Sequence, residues 1–164
     1  MYFINIKKLK QDIIEDKFTQ KDRFLYAFIW IILNEIIMIS PDFYPSIYMD
    51  VTYLDKIVDL INIVIIALGT FIMYKYNGAN KGKDFVDRYF AITFVISFRV
   101  LLLVVIFMMF TIGVLYAFLP FINNIANIDK YIDYIFYILL IFTEVYIYYR
   151  SATIIKTIAN LKMR

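Results

Sequence analysis

The longest apolar run in the chain extends from Asp84 to Pro120 and reads DFVDRYFAITFVISFRVLLLVVIFMMFTIGVLYAFLP. Its second half, Val100 to Leu119, holds twenty consecutive residues without a charge, about the number that a helix needs to cross roughly 30 Å of hydrocarbon. This half is therefore predicted to span a membrane. The apolar pattern begins upstream, at Phe85, and one helix over the whole run would be about 54 Å long, more than a bilayer requires. Either this helix tilts and kinks, or its first four turns stand in the cytoplasm and are covered by protein.

The composition of the whole chain is that of a membrane protein. Apolar residue types make up 63% of the 164 residues and the mean hydropathy is +0.73, whereas soluble domains usually hold about 45–50% apolar residues. We therefore predict a single all-α membrane domain over 1–164.

The residue types present argue against an enzyme. The chain contains no cysteine and no histidine, which excludes thiolate and imidazole metal ligands and the commonest general base at neutral pH. Its four serines lie beside no plausible base, so no nucleophile and base can be paired. The sequence predicts no catalytic residue, no metal site and no cofactor.

Helix start and stop signals divide the chain into four membrane spans. The predicted membrane helices, joined as two hairpins, cover 24–40, 57–76, 92–119 and 131–149. Pro41 closes the first span and Pro120 the third, because proline cannot continue a helix. Asn77-Gly78 closes the second.

The basic residues predict the orientation of these helices. Six lie before the first span, four between the second and third spans and four in the tail, whereas the two opposite loops hold only Lys56 and Lys130. By the positive-inside rule both termini lie in the cytoplasm, and a bacterial inner membrane is the predicted location. The segment 1–23 is then predicted to form an amphipathic helix on the membrane or on the protein's own cytoplasmic face. The tail, 150–164, is predicted to form a basic amphipathic helix on anionic lipid or against the N-terminal helix.

Two short motifs suggest an internal repeat. Asp22-Arg23 at the start of the first span matches Asp87-Arg88 ahead of the third. Two tandem hairpins related by an axis normal to the membrane would explain the match. Helices that begin at the same interface and use the same caps would explain it as well.

Two charges within the predicted spans require a partner. Arg99 lies at the cytoplasmic end of the third span, and Glu144 lies at a similar depth on the antiparallel fourth span. An unpaired charge costs several kcal/mol at this depth, so the two are predicted to meet. A structural ion pair is the favoured interpretation, and a conducting or proton-relay role is the alternative. A third interpretation is an arginine that snorkels to the interface.

A second polar group is predicted nearer the outer surface. Glu35, with Asn34 beside it, lies on the first span at nearly the depth of Asn62 on the second. Their amide and carboxyl groups can form hydrogen bonds across the first hairpin. The alternative makes Glu35 the acid of a proton or cation path.

The cytoplasmic turns of the third helix carry the predicted partner or self-association surface. This aromatic surface is too apolar to stand in water, and it consists of Phe85, Tyr89, Phe90, Phe94 and Phe98. A soluble cytoplasmic protein or a second copy of the chain is the predicted cover.

Three basic residues are predicted to hold an anionic lipid headgroup. Lys81 and Lys83 precede the third helix, where free backbone amides add to their charge, and Arg150 follows the fourth span. No direct contact with nucleic acid is predicted.

Small residues mark two predicted helix contacts. Ala67, Gly69 and Thr70 cluster on the second span, and Gly113 and Ala117 form a small-xxx-small pair on the third. Such spacing lets helix backbones approach closely, within one chain or between chains.

These features favour a membrane-anchored interaction or signalling subunit. The alternative is an oligomeric ion channel, pore or small transporter that uses Glu35, Arg99 and Glu144. The general build resembles membrane subunits of some bacterial anti-phage systems, such as Kiwa-type systems and the membrane accessories of certain CRISPR loci. The resemblance is one of architecture and implies a multi-protein, defence-related setting without assigning any residue.

Overall fold

A computed structural model of the chain describes residues 1–43, 53–122 and 128–162, and within these the side chains of 34–43, 112, 115–122 and 128–133 are outside the description. Five α-helices and one short 3₁₀ turn, Ala79–Lys81, make up the described part: α1 Ile6–Ile14, α2 Gln20–Phe43, α3 Tyr53–Tyr76, α4 Phe85–Ile122 and α5 Ile128–Lys162. The all-helical class is thus confirmed over these residues.

Three of the described helices are long and apolar enough to cross a membrane. They contain the segments Tyr53–Tyr76, Phe85–Thr111 and Tyr134–Lys162. The predicted first span, 24–40, forms part of α2, and its side chains beyond Leu33 lie outside the description.

The amino-terminal segment is divided into two helices, where the sequence suggested one over 1–23. The side chain of Asn5 accepts a hydrogen bond from the backbone N–H of Lys8 at 3.1 Å and starts α1. Asp16 then adopts a left-handed φ of 55°, which ends the helical path. Thr19 starts α2, because its hydroxyl accepts a hydrogen bond from the N–H of Asp22 at 3.2 Å.

The fourth span and the basic tail form one helix, although the sequence suggested separate elements at 131–149 and 150–164. No glycine or proline interrupts α5. The hydroxyls of Thr153 and Thr157 donate back to the carbonyl oxygens of Tyr149 and Thr153, at 2.8 Å each, so these polar side chains are satisfied without breaking the helix.

Pro41 and Pro120, which were predicted to end helices, lie within the last turn of α2 and α4. α2 continues past Pro41 to Phe43, and α4 continues past Pro120 to Ile122. A proline close to the carboxyl end removes one backbone hydrogen bond while its fixed φ remains helical, so the helix tolerates it there.

α3 and α5 run parallel, with three contacts spaced along them. Asp55 accepts a hydrogen bond from the hydroxyl of Tyr137. Further along, Gly69 lies against Tyr148. Near the end of α3, the ring of Tyr76 lies 4.8 Å from the ammonium nitrogen of Lys156.

α4 lies between α2 and α5. It runs antiparallel to α5, since Tyr89 early in α4 contacts Tyr148, whereas the later residues 100–107 share a crevice with the earlier residues 139–146 of α5. The packed order is therefore α2, α4, α5, α3. Among the described residues α2 and α3 do not form a packed pair, so the first predicted hairpin and a symmetric repeat are not confirmed.

The hydrophobic core lies at one end of this arrangement, which we call the cap (residues 1–26, 73–99 and 150–162). The buried side chains of the cap and its edge are Leu9, Ile13, Phe18, Tyr26, Met73, Ala91, Ile92, Phe94, Val95, Ile96, Val100, Ala152, Ile155 and Ile158. All five helices contribute to this core, and α2 to α5 do so through the parts that lie in the cap.

The rest of the described helices exposes apolar side chains, and we call this region the apolar belt (residues 28–33, 53–72, 100–114 and 134–149). Leu103 is 66% exposed and Phe142 68% exposed. A surface of this kind is unstable in water, whereas hydrocarbon covers it at no cost. The belt is therefore the part of the protein suited to lipid.

Candidate functional site

The cap covers the aromatic surface that the sequence assigned to a partner. Phe94 is 2% exposed, and its ring centroid lies 5.9 Å from that of Phe3 and 5.7 Å from that of Tyr26. Phe98 lies 5.8 Å from Phe3, and Phe85 lies 5.5 Å from Tyr74. Intramolecular packing thus supplies the cover that these rings require.

The two remaining members of the aromatic surface are also partly enclosed. The hydroxyl of Tyr89 lies 3.3 Å from that of Tyr148 on α5. Phe90 is half-buried and its ring centroid lies 5.5 Å from that of Tyr89. Of the five residues, Phe94 is buried and the other four keep part of their surface exposed.

α1 and the end of α5 form a further side of the cap. α1 packs against both α4 and α5 through Leu9 and Ile13, which are buried. The ammonium group of Lys162 pairs with the carboxylate of Asp16 and joins the ends of the two helices. This hydrogen bond lowers the pKa of Asp16.

An ion pair joins the starts of α2 and α4. The guanidinium of Arg23 lies 2.9 Å from the carboxylate of Asp87 and 3.2 Å from that of Asp84. The two Asp-Arg motifs that suggested a repeat are therefore in direct contact through Arg23 and Asp87. Their second arginine, Arg88, takes a different position.

Arg88 lines a pocket of about 510 Å³ in the cap. The pocket lies between the end of α1, the loop before α4 and the end of α5, and its charged and polar lining residues are Asp16, Asn77, Lys81, Lys83, Asp84, Arg88 and Lys162. Arg88 is 4% exposed. Cations outnumber carboxylates in this wall, so the pocket is suited to an anion.

Asn77 holds the wall of the pocket in place. Its side-chain oxygen accepts a hydrogen bond from Nη1 of Arg88 at 2.8 Å, and its side-chain nitrogen donates to the carbonyl oxygen of Lys83 at 3.2 Å. A side chain at Gly82 would lie 2.2 Å from the carbonyl oxygen of Asn77. Only glycine allows the loop to pass this close.

The same loop holds left-handed backbone at two residues that are not glycine. Ala79 has a φ of 47° and Asp84 a φ of 53°. Such conformations cost about 1–3 kcal/mol each and persist where surrounding contacts enforce them. Here these contacts are the hydrogen bond from Asn77 to the carbonyl oxygen of Lys83 and the ion pair of Arg23 with Asp84.

The structure places the three predicted headgroup residues in two locations. Lys81 and Lys83 line the cap pocket, whereas Arg150 is exposed on α5 and is not part of its lining. The sequence did not identify Arg88 and Lys162 as members of this site. Arg88 offered one signal, since it follows Asp84 by one helical turn, but the closing wall from α5 comes from a distant part of the chain.

Arg99 and Glu144 do not form the predicted ion pair. Among the ion pairs of the described residues there is none between them. Nε of Arg99 instead donates to the backbone carbonyl oxygen of Ile4. A long arginine side chain at the edge of the belt can reach a carbonyl in the cap without being drawn into hydrocarbon.

The second predicted polar group is described only in part. The side chains of Asn34 and Glu35 lie outside the described residues. Asn62 lies on α3, and its side-chain oxygen is buried without a hydrogen-bond partner among the described residues. Glu144 is half-buried on α5.

The predicted close contact at Gly69 is confirmed. A methyl group added there would lie 2.4 Å from Cδ1 and 2.8 Å from Cβ of Tyr148. A methyl group added at Gly113 would meet no atom of the described structure within 4 Å. The side chain of Ala117, its predicted companion, lies outside the description.

The acidic side chains of the described residues do not gather into a group of three or more that could hold a metal ion.

Comparisons with models of protein families, with curated proteins and with solved structures give no match to this chain.

Proposed function

We propose that the protein is a membrane-anchored interaction subunit with four membrane spans joined as two hairpins and with both termini and the cap in the cytoplasm. Three candidate spans and the belt support the membrane assignment. The excess of Lys and Arg in segments that belong to the cap supports the orientation. A bacterial inner membrane and a multi-protein, defence-related system are the proposed setting.

The observation that carries this proposal is the continuity of α4 and α5 through the belt and into the cap. The cap portion of α4, 85–99, extends about 21 Å beyond the belt. Because Phe3, α2, α3 and α5 pack against its aromatic side, the cap is a folded unit held at a fixed distance from lipid. A cytoplasmic partner or a second copy would then bind the outer surface of the cap.

Two exposed apolar side chains mark that outer surface. Val86 at the start of α4 is 60% exposed, and Leu161 near the end of α5 is 49% exposed. Both lie beyond the belt, where lipid does not reach them. They are suitable positions for a probe of the interface.

Single-cysteine labelling tests the topology, because the natural chain has no cysteine. Val86→Cys should react with a membrane-impermeant maleimide only in inverted membrane vesicles. Tyr53→Cys, exposed at the opposite end of α3, should react only in vesicles of the original orientation. The reverse pattern would contradict the proposed orientation.

Cross-linking from the same positions tests the interaction. Val86→Cys and Leu161→Cys should give a discrete adduct in native membranes with a bifunctional maleimide reagent, either with a second copy or with one cytoplasmic protein. Leu103→Cys, which faces the belt, is the matched control and should give none. Equal adducts at all three positions, or none in the cap, would refute the interaction role.

A second candidate function, an oligomeric ion channel, is favoured by polar groups within the belt. The buried oxygen of Asn62 has no described partner, and Glu144 forms no described ion pair. Such groups are typical of ion pathways when copies of a chain share a lumen. Ion flux through liposomes should then fall in Glu35→Gln, Glu144→Gln and Arg99→Gln, and absence of flux in the unmodified protein would exclude the channel.

A further inference from the structure

The charges of the cap pocket are unevenly paired. Its two carboxylates are both engaged, since Asp16 pairs with Lys162 and Asp84 lies 3.2 Å from Arg23. Within the described residues, Lys81 and Lys83 take part in no ion pair. The pocket therefore retains positive charge after its internal pairs are formed.

Arg88 is the second observation that points to a ligand. The side chain is 4% exposed and forms one hydrogen bond to another described residue, from Nη1 to Asn77. Its Nε is buried without a partner. A buried guanidinium N–H without an acceptor is costly unless an anion completes the site.

The start of α4 adds to this potential. Asp84 and Arg88, one turn apart, both line the pocket, so this side of the helix end faces it. The N–H groups of the first turn and the aligned peptide dipoles favour negative charge at a helix N-terminus. α4 is 38 residues long.

The chemistry of the pocket matches a phosphate group. Phosphate offers several acceptor oxygens that an arginine and two lysines can bind together. The volume of about 510 Å³ lies in the range of small-molecule sites, roughly 300–1,000 Å³.

The depth of the pocket distinguishes the source of that phosphate. Arg88 precedes Val100, at the edge of the belt, by about 18 Å of helix. The headgroup layer is only about 5–8 Å thick on each side of the hydrocarbon. We infer that the cap pocket binds the phosphate group of a soluble cytoplasmic small molecule, an activity that goes beyond the proposed interaction role and does not require a partner protein.

Isothermal titration calorimetry with inorganic pyrophosphate tests this inference. It measures the affinity of the full chain in phosphatidylcholine nanodiscs. We expect saturable binding to the unmodified protein. The affinity should fall at least tenfold in the double variant Lys81→Gln, Lys83→Gln, whose side chains are exposed, and in Arg88→Gln. Arg150→Gln is the control with the same loss of charge outside the pocket, and its affinity should be unchanged.

Three results would overturn the inference. They are the absence of saturable binding to the unmodified protein, an unchanged affinity in the Lys81 and Lys83 double variant, and loss of pyrophosphate binding in nanodiscs that contain phosphatidylglycerol. The last result would show that a lipid headgroup occupies the pocket. If Arg88→Gln fails to fold, the Lys81 and Lys83 double variant still tests the pocket. Titration uses purified protein, so a negative result there is independent of a negative result in the cross-linking experiment.

Discussion

The contact between Gly69 and Tyr148 predicts that Gly69→Ala separates α3 from α5. The added methyl group would lie 2.4 Å from Cδ1, 2.6 Å from Cγ and 2.8 Å from Cβ of Tyr148. Ordinary van der Waals contact begins near 3.4 Å, so the ring must move by about 1 Å. A rotation of the ring alone does not relieve the overlap, because Cβ is fixed to the backbone of α5.

The size of the effect follows from two opposing terms. Overpacking of this kind costs about 1–3 kcal/mol, while replacing a helical glycine with alanine returns about 0.5–1 kcal/mol. We therefore expect Gly69→Ala to lower the free energy of unfolding by about 1–2 kcal/mol. In a Tyr148→Ala background the overlaps with Cγ and Cδ1 are removed and only the one with Cβ, at 2.8 Å, remains, so the same substitution should cost less than in the unmodified protein.

Reversible unfolding in mixed micelles, followed by circular dichroism, measures these four variants as a double-mutant cycle. Gly113→Ala is the matched control, because the new methyl group meets no described atom within 4 Å, and it should be neutral or stabilising. An equal cost of Gly69→Ala with and without the Tyr148 ring would refute the packing argument.

The same unfolding assay checks three further predictions. Ile155, which is fully buried in the cap, should cost about 2–5 kcal/mol when changed to alanine, and a cost below about 1 kcal/mol would contradict its place in the core. The pair of Arg23 and Asp87 is partly exposed, so breaking it should cost about 0.2–1 kcal/mol; the costs of Arg23→Ala and Asp87→Ala should be less than additive in the double variant, and full additivity would argue against the pair. A hydrogen bond from the Thr19 hydroxyl lowers the pKa of Asp22 from 3.8, so its contribution to stability is complete above that value and is lost as the pH falls through the lower folded value. Asp22→Asn should therefore lower stability at pH 6, and its difference from the unmodified protein should shrink below about pH 4.

Part of the candidate site was accessible from the sequence because it depends on local features. Lys81 and Lys83 lie in a loop ahead of a long helix, and that position alone suggests an anion site. Arg88 was not recognised, because its place in the site depends on a hydrogen bond to Asn77 across the loop and on a pocket that Lys162, 74 positions further along the chain, also lines. Local patterns carry no information about contacts at that separation.

The sequence by itself determined that the chain is helical and suited to lipid, and that the aromatic first turns of α4 require cover. These conclusions follow from residue spacing, from the length of uncharged segments and from the cost of exposing Phe94 and its neighbours to water. None of these conclusions depends on which side chains contact each other. The close contact at Gly69 belongs with them, because small residues at helical spacing already indicate close approach.

The tertiary structure alone decided which groups provide the cover and which charges meet. Phe3, α2, α3 and α5 supply the rings that contact the aromatic surface, Arg23 contacts Asp87, and Arg99 contacts the carbonyl of Ile4 instead of Glu144. Several partners of similar chemistry were within reach of each group, so their pairwise energies differ little. The order in which whole helices pack selects among them, and that order is a property of the complete chain.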